Sequence, residues 1–318
     1  MKNKSAIIIG ASGQYGIILA NLLIKKKYKV LSTTRSTRKL NILKKKYPNL
    51  NFINFNIYNK NKIKKLLLKI NPSIIFYFAG QSSPKLSFLK KRETLISNYQ
   101  GCKNFLEVIH ENKILTKFFN AASSEMFGHI KTKINHNTPK NPLNPYGRAK
   151  KKSFNLVREY RDNFGMKNYN GIMFNTESFL RNKDFVIPKI CLGAINAYKK
   201  GKKLNLNNTV VSREWNWCEE QCELMLKFIK KKPQDFILSN GKSYSIKQML
   251  RFSFQYFNLD YKNFVEVKFN NLNKNEVKTK RSNIQKYLNK NKIKYKPKIY
   301  GKTLIHKMIK FYLNERKI

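Results

Sequence analysis

Acidic residues are scarce in this sequence. Only 17 Asp and Glu stand against 66 Lys and Arg in 318 residues, a formal net charge of +49. Such an excess favours anionic ligands. It also raises the question of nucleic acid, because a basic surface binds phosphate backbones without regard to sequence. Nucleic-acid binding is nonetheless not the expected function, since the chain shows no basic tail, repeat or recognised nucleic-acid module. Lys is spread along the whole length and travels with abundant Asn, Ile, Phe and Tyr. All of these have AT-rich codons, so drift in genome composition gives the same excess.

Cysteine is also sparse. Cys102, Cys191, Cys218 and Cys222 make neither a CxxC pair nor a zinc spacing, which leaves no metal site to expect. Cys218 and Cys222 share one face of a helix, where buried thiols in a reducing compartment are the expectation. No apolar run approaches the ~20 residues that a membrane-spanning helix needs. The opening "MKNKSAIIIGASG" begins like a secretory signal, but its apolar run is too short and goes straight into glycines. A soluble cytoplasmic protein without a membrane partner is expected. The 41% hydrophobic fraction, with 22 Phe, 17 Tyr and 2 Trp, can fill the core of one large α/β unit, with or without a smaller lobe.

Short β-rich runs alternate with longer amphipathic ones through the first half. "SAIIIG" (5–10), "KVLST" (29–33), "NFINFN" (51–56), "SIIFYFAG" (73–80) and "KFFNAAS" (117–123) read as strands. The stretches between them place apolar residues at helical spacing, the pattern that builds a doubly wound parallel sheet. A helix from about Tyr146 to Asn163 and a strand near "YNGIMFN" follow the loop "HNTPKNPLNPYG". Beyond it the pattern loosens, with helices expected near 186–200, 218–231, 245–257 and 301–314 and surface loops over 270–296. This second part reads as a lobe on the sheet's C-terminal side.

Three sequence features carry chemistry. In "IIIGASGQYG", Gly10, Gly13 and Gly16 stand between the first strand and the first helix, where a backbone bare of side chains can approach a pyrophosphate. The spacing is G-x-x-G-x-x-G, and a plain tight turn is the competing reading. After the second strand, "STTRSTRK" has no acid for ribose hydroxyls. Arg35 and Arg38 can pair with a 2′-phosphate, which favours NADP over NAD unless they are only two more bases in a basic chain. "NPYGRAK" sets Tyr146 and Lys150 four apart on one helical face, where the cation lowers the cost of a phenolate. Ser123 and Glu125, two apart at the end of the fifth strand, are expected to point the same way by alternation, toward the crevice at the strands' carboxyl ends. A hydroxyl and a carboxylate there suit hydrogen bonding to a reacting oxygen and proton abstraction; a strand-end cap and a surface acid are the alternatives.

Together "GASGQYG", "SSE" and "YGRAK" resemble the extended short-chain dehydrogenase/reductases. Longer stretches resemble the GDP-mannose 4,6-dehydratases among them: "TRSTR", "INPSIIFYFAGQSSPKLSF", "SSEMFG", "GIMFNTES", "FVIPKI", "SREWNW" and "PQDFILSNGKSYSIKQML" fall in that order over about residues 5 to 258. The resemblance implies a Rossmann-type doubly wound sheet with a smaller α/β substrate-binding lobe. An NADP-binding domain would span 1–170, with elements returning from about 171–178 and 210–240, and the lobe would lie mainly in 179–318. The catalytic set would be Ser123, Glu125, Tyr146 and Lys150. Gly10, Ser12, Gly13, Gln14, Gly16, Arg35, Ser36, Arg38, Asn56 and Gln81, with Tyr146 and Lys150, would bind NADP. Ser82, Asn175, Glu177, Lys189 and Arg213 would bind the nucleotide sugar.

The implied activity is that of a lyase converting GDP-mannose to its 4-keto-6-deoxy form, in a homodimer or homotetramer. Another nucleotide-sugar dehydratase, reductase or C4-epimerase, and a catalytically silent nucleotide-binding protein, are the alternatives. The chain also departs from the family pattern. Asn56 replaces the acid after the third strand, Tyr15 the aspartate of the glycine loop, "WNWC" a Trp-Gly-His-Ala run, and Asn273–Glu276 an Arg-Pro-x-Glu run.

Overall fold

The protein is described by a computed structural model covering residues 4–268 and 277–315. The departure at 273–276 lies outside the described residues. Contacts divide the chain into two units. The first comprises 1–128, 136–173 and 222–238; the second comprises 129–135, 174–221 and 239–318.

The first unit is built on seven parallel strands. β1 (Ser5–Ile9), β2 (Lys29–Thr34), β3 (Asn51–Asn54), β4 (Ile74–Tyr77), β5 (Lys117–Ser123) and β6 (Asn168–Met173) are joined by a seventh, Asp235–Leu238, that the sequence reading did not include. Their spatial order is Asp235–Leu238, β6, β5, β4, β1, β2, β3. The order reverses between β1 and β4, the place where doubly wound sheets open a ligand crevice. β1 and β4 are buried along their whole length, as a parallel sheet covered on both faces requires. The expected fold class is borne out.

Helices α1 (Gln14–Lys25), α2 (Thr37–Lys46) and α3 (Lys60–Ile70) follow the first three strands. α3 starts where Asn59 Oδ1 accepts from Lys62 N at 2.9 Å and stops at Asn71, whose φ of 43° only a residue tolerant of the left-handed region adopts readily. Between β4 and β5 lie α4 (Pro84–Leu89), α5 (Lys91–Leu95) and α6 (Gly101–Glu111), the last two joined by a π-helical turn over Ile96–Gln100. α7 (Pro145–Phe164) opens with Asn144 as its cap and Pro145 at its first position, and closes at Gly165, φ 63°.

Alternation along the strands sorts the core. Ile75 and Tyr77 face Phe105 and Leu106 of α6, Leu67 of α3 and Val157 of α7. On the opposite side Phe76, Phe119, Phe236 and Phe228 form a chain of rings with centroids 4.4 to 6.1 Å apart. Asp235 ties the added strand to the rest: Arg161 Nη1 donates to it at 2.8 Å and Asn170 Nδ2 at 2.9 Å, so α7 and β6 are fixed together.

The second unit gathers α8 (Val186–Lys200), α10 (Ile246–Gln255) and α12 (Gly301–Glu315) around Ile190, Trp215, Leu250 and Met308. The stretch 270–296, expected as loops, contains α11 (Ile284–Lys290), which buries Ile284, Tyr287 and Leu288. Its apolar positions lie three and four apart in a Lys/Asn-rich stretch whose composition obscured them. α9 (Cys218–Phe228) carries both Cys218 and Cys222 buried, as their spacing implied. No helix among the described residues is long and apolar enough to cross a membrane.

Candidate active site

The glycine loop joins β1 to α1 and touches the end of β2. Ala11 N donates to Thr33 O at 2.8 Å, and Gly10 N to Thr33 Oγ1 at 3.3 Å. Gly10 sits at φ 82°, and a Cβ there would come 2.6 Å from the Ala79 backbone. A Cβ on Gly16 would come 2.3 Å from Ala11 Cα, so glycine lets α1 pack onto its own approach loop. Gly13 differs: a Cβ there meets nothing within 4 Å, and this cap residue has no side chain to satisfy the first turn of α1. No acid lies in that turn. Open space at Gly13, in front of the start of α1, fits a pyrophosphate. Ser12 is half-buried beside it, Gln14 is buried, and Tyr15 stacks on Phe78 at 5.6 Å.

Beyond β2, Ser36 Oγ caps α2 by accepting from Lys39 N at 3.2 Å, and Arg38 is exposed in the first turn of that helix. Arg35 is paired: its Nη2 lies 2.8 Å from Glu93 Oε1 of α5. Asn56 turns its side chain to its own loop, accepting from Tyr58 N at 2.9 Å.

Past β4, Gly80 stands at φ 145° against Asn98. Asn98 Nδ2 donates to Gln81 O at 3.0 Å, and Gln81 N donates to Ser97 Oγ at 3.2 Å. Both Ser97 and Asn98 belong to the π-helical turn, a feature common at functional sites. Helical periodicity gives no signal for it, and sequence reading missed both. Gln81 Nε2 donates to Ser83 O at 2.8 Å, and Ser82 is exposed.

Ser123 ends β5, and 124–126 form a 3-10 turn. The alternation argument for Ser123 and Glu125 therefore does not apply, because Glu125 is not on the strand. The turn relates them instead: Ser123 Oγ accepts from Glu125 N at 3.2 Å. The Glu125 carboxylate is held by Asn144, whose Nδ2 donates to Oε2 at 2.9 Å. The turn lies on the first turn of α7, where a Cβ on Gly147 would come 2.3 Å from Glu125 O. Asn144 escaped sequence reading, although Asn before Pro at a helix start is a legible capping signal.

Within the first two turns of α7, Tyr146 is buried to 9% exposure and Lys150 to 4%. Lys150 Nζ lies 5.8 Å from the Tyr146 ring centroid and donates to Ala121 O at 2.7 Å. Burial pushes its pKa down to about 8. The structure thus brings Ser123, Glu125, Tyr146 and Lys150 together where β5 meets the start of α7.

In the second unit, Glu177 is 1% exposed, and burial pushes its carboxyl up to about 7, against the opposing pull of Arg181 at 3.7 Å. Asn175 O accepts from Asn216 N at 2.9 Å and from Asn216 Nδ2 at 2.7 Å, so Asn216 clamps the segment that carries Asn175. Arg213 Nη1 donates to Ser212 O at 2.8 Å, and Lys189 is exposed on α8. Next to Arg213, Glu214 is buried and accepts from Ser282 N at 2.6 Å, Ser282 Oγ at 2.7 Å and Gly241 N at 3.2 Å, fixing the segment that carries the arginine.

The family described as GDP-mannose 4,6 dehydratase matches residues 7–308. This chain belongs to the GDP-mannose 4,6-dehydratase family. GDP-mannose 4,6 dehydratase 1 of Arabidopsis thaliana is 29% identical over 328 residues, covering 96% of this chain and 89% of its own length. GDP-mannose 4,6-dehydratase of Vibrio cholerae is 29% identical over 264 residues, covering 79% and 71%. The fold is shared with dTDP-glucose 4,6-dehydratase of Bacillus anthracis str. Ames in complex with NAD, at TM-score 0.82 and 16% identity over 98% of this chain and 97% of that one. It is shared too with the UDP-glucose 4-epimerase of Thermus thermophilus in complex with NAD, at TM-score 0.79 and 13% identity over 96% and 99%. Membership of the family bears out the expected reading, a lyase of nucleotide-sugar metabolism.

Proposed function

We propose that this protein removes water from GDP-mannose to give GDP-4-keto-6-deoxymannose, using Ser123, Glu125, Tyr146 and Lys150. The observation that carries the proposal is the placement of Glu125. A carboxylate held by Asn144 beside Tyr146 and Lys150 supplies a base that an alcohol oxidation alone does not require.

Tyr146 takes the proton of the sugar's C4 hydroxyl, and the Lys150 cation stabilises the phenolate that must precede this. Ser123 donates a hydrogen bond to the same oxygen as it becomes a ketone. The ketone acidifies the C5 hydrogen, which Glu125 removes while the C6 hydroxyl leaves as water, protonated by the same carboxyl. A nicotinamide dinucleotide, when bound, would supply the hydride chemistry, acceptance from C4 and return to C6; C5 then takes a proton from solvent by way of Glu125, balanced by the proton that Tyr146 releases. The glycine loop Gly10–Gly16 would hold its pyrophosphate, with Gln81 and the Tyr146–Lys150 pair at the nicotinamide end and Ser36, Arg38 and Asn56 at the adenosine end. NADP is proposed rather than NAD, on the two arginines that follow β2 and the absence of an acid there.

The first unit is assigned to the cofactor, and Asn175, Glu177, Lys189 and Arg213 of the second to the nucleotide sugar. A cytoplasmic homodimer or homotetramer completes the proposal; light scattering of the purified protein reads the oligomeric state.

The deciding experiment incubates the purified protein with GDP-mannose and NADP⁺, beside a panel of other nucleotide sugars, and reads products by mass. Loss of one water from GDP-mannose supports the proposal. Turnover of another nucleotide sugar with none of GDP-mannose overturns the substrate assignment.

A further inference from the structure

Arg35, the first residue after β2, does not stand free to receive a phosphate. Glu93 reaches it from α5, 58 positions along the chain, with Oε1 at 2.8 Å from Nη2. The other oxygen, Oε2, lies 3.6 Å from Lys90 Nζ. The loop that presents Arg35 is itself braced, since Asn54 Nδ2 donates to Arg35 O at 3.1 Å and to Thr37 Oγ1 at 3.2 Å. Arg35 therefore presents its guanidinium from a fixed backbone, and what occupies that guanidinium is a carboxylate. Hydrogen bonding to Arg35, and then the charges of Arg35 and Lys90, hold the Glu93 carboxyl below its ordinary range, so it is ionised at neutral pH.

We propose that Glu93 is a specificity-determining counter-ion for the adenosine end of the dinucleotide site: it competes with a 2′-phosphate for Arg35 and narrows the preference for NADP over NAD. This inference rests on the proposed placement of the ribose 2′ position at the end of β2. A 2′-phosphate arriving at Arg35 meets a carboxylate of its own sign and must displace it. Lys90 keeps a partner for the displaced Glu93, which makes the exchange reversible rather than forbidden. A ribose with a free 2′-hydroxyl brings no charge and leaves the Arg35–Glu93 pair in place. The sequence shows no acid at the end of β2, yet the fold delivers one from another element.

Calorimetric titration of the intact protein with NADP⁺, NAD⁺, 2′,5′-ADP and 5′-AMP tests this without turnover. Glu93→Gln is expected to tighten NADP⁺ and 2′,5′-ADP on the order of fivefold and to leave NAD⁺ and 5′-AMP within about twofold, the scale of one exposed ion pair. In the Arg35→Gln background the Glu93→Gln gain should vanish. Equal gains for phosphorylated and unphosphorylated ligands, no gain at all, or a gain that persists without Arg35 would each overturn the proposal. Failure of the NADP assignment is a different result: the wild-type protein would prefer NAD⁺, and the Glu93 proposal would still hold if Glu93→Gln shifted that preference toward NADP⁺.

Discussion

Asn144 holds Glu125 with one end of its side-chain amide and caps α7 with the other. Nδ2 donates to Glu125 Oε2 at 2.9 Å, while Oδ1 accepts from Gly147 N at 2.8 Å. The helix that carries Tyr146 and Lys150 is thus registered against the proposed C5 base by one residue. Asn144→Ala should lower stability by about 1 kcal/mol through the lost cap. It should also slow dehydration with little change in KM, because the carboxylate loses its orienting donor. Asn144→Asp separates the two effects, since it keeps a capping oxygen but sets a second carboxylate against Glu125. Thermal unfolding beside product mass reads both. If Asn144→Asp dehydrates at the wild-type rate, Asn144 serves only as a cap.

Glu125→Gln tests the base itself. The amide can keep a hydrogen bond to Asn144 after a flip, so folding and nucleotide-sugar binding should survive. Elimination should fall by roughly 10²- to 10⁴-fold, the usual contribution of a general base. Solvent exchange of the C5 hydrogen in deuterium oxide, read by mass, should stop with it. Undiminished loss of water would remove Glu125 from the role.

The sheet and its helices were legible because the first half of the chain obeys the simplest rule in a parallel α/β fold. Buried apolar strands such as Ser5–Ile9 alternate with helices whose apolar positions recur every three to four residues. The glycine loop and the Tyr146–Lys150 spacing are local patterns and were readable for the same reason. What escaped depends on chain geometry that no local pattern encodes. The strand ends at Ser123, so Glu125 is oriented by a 3-10 turn and by Asn144, not by strand alternation. The four-residue strand at Asp235–Leu238 gains its place from pairing with β6 and from Arg161, far away in sequence. The meeting of Arg35 and Glu93 is likewise a product of topology, and it alters the meaning of "no acid after the second strand".

Lys150 is buried with its pKa pushed down to about 8 from 10.5, and the sign of its effect on stability follows. Between those two pH values the unfolded chain binds more protons than the folded one. Stability contributed by this group therefore rises with pH across about 8 to 10.5 and carries its full penalty below 8. Lys150→Met should abolish that slope, with a maximal gain of about 3 kcal/mol at neutral pH before packing losses. The same variant loses the cation beside Tyr146, so whatever activity remains should have its acid limb moved to higher pH. Denaturant titrations from pH 7 to 10.5, paired with a pH–rate profile, read both. An unshifted acid limb would exclude Lys150 from supporting the phenolate.

Glu177 has the opposite sign. Its folded pKa is raised from 4.5 to about 7 by burial, and its Oε2, like Arg181 Nε, is buried without a hydrogen-bond partner among the described residues. Between 4.5 and 7 the folded chain binds more protons than the unfolded one. The stability that goes with the protonated carboxyl is complete below 4.5 and is lost as pH rises through 7. Glu177→Gln cannot ionise and should escape that loss. Its unfolding free energy relative to wild type should climb across pH 4.5 to 7 and level off above, by at most about 3 kcal/mol. A donor-rich ligand such as a sugar, meeting the carboxylate as acceptor, would recover part of the penalty that burial imposes. The variant should therefore bind GDP-mannose more weakly even where it is the more stable protein. A stability gain at pH 8 with unchanged GDP-mannose affinity would make Glu177 a structural acid and remove it from the substrate set.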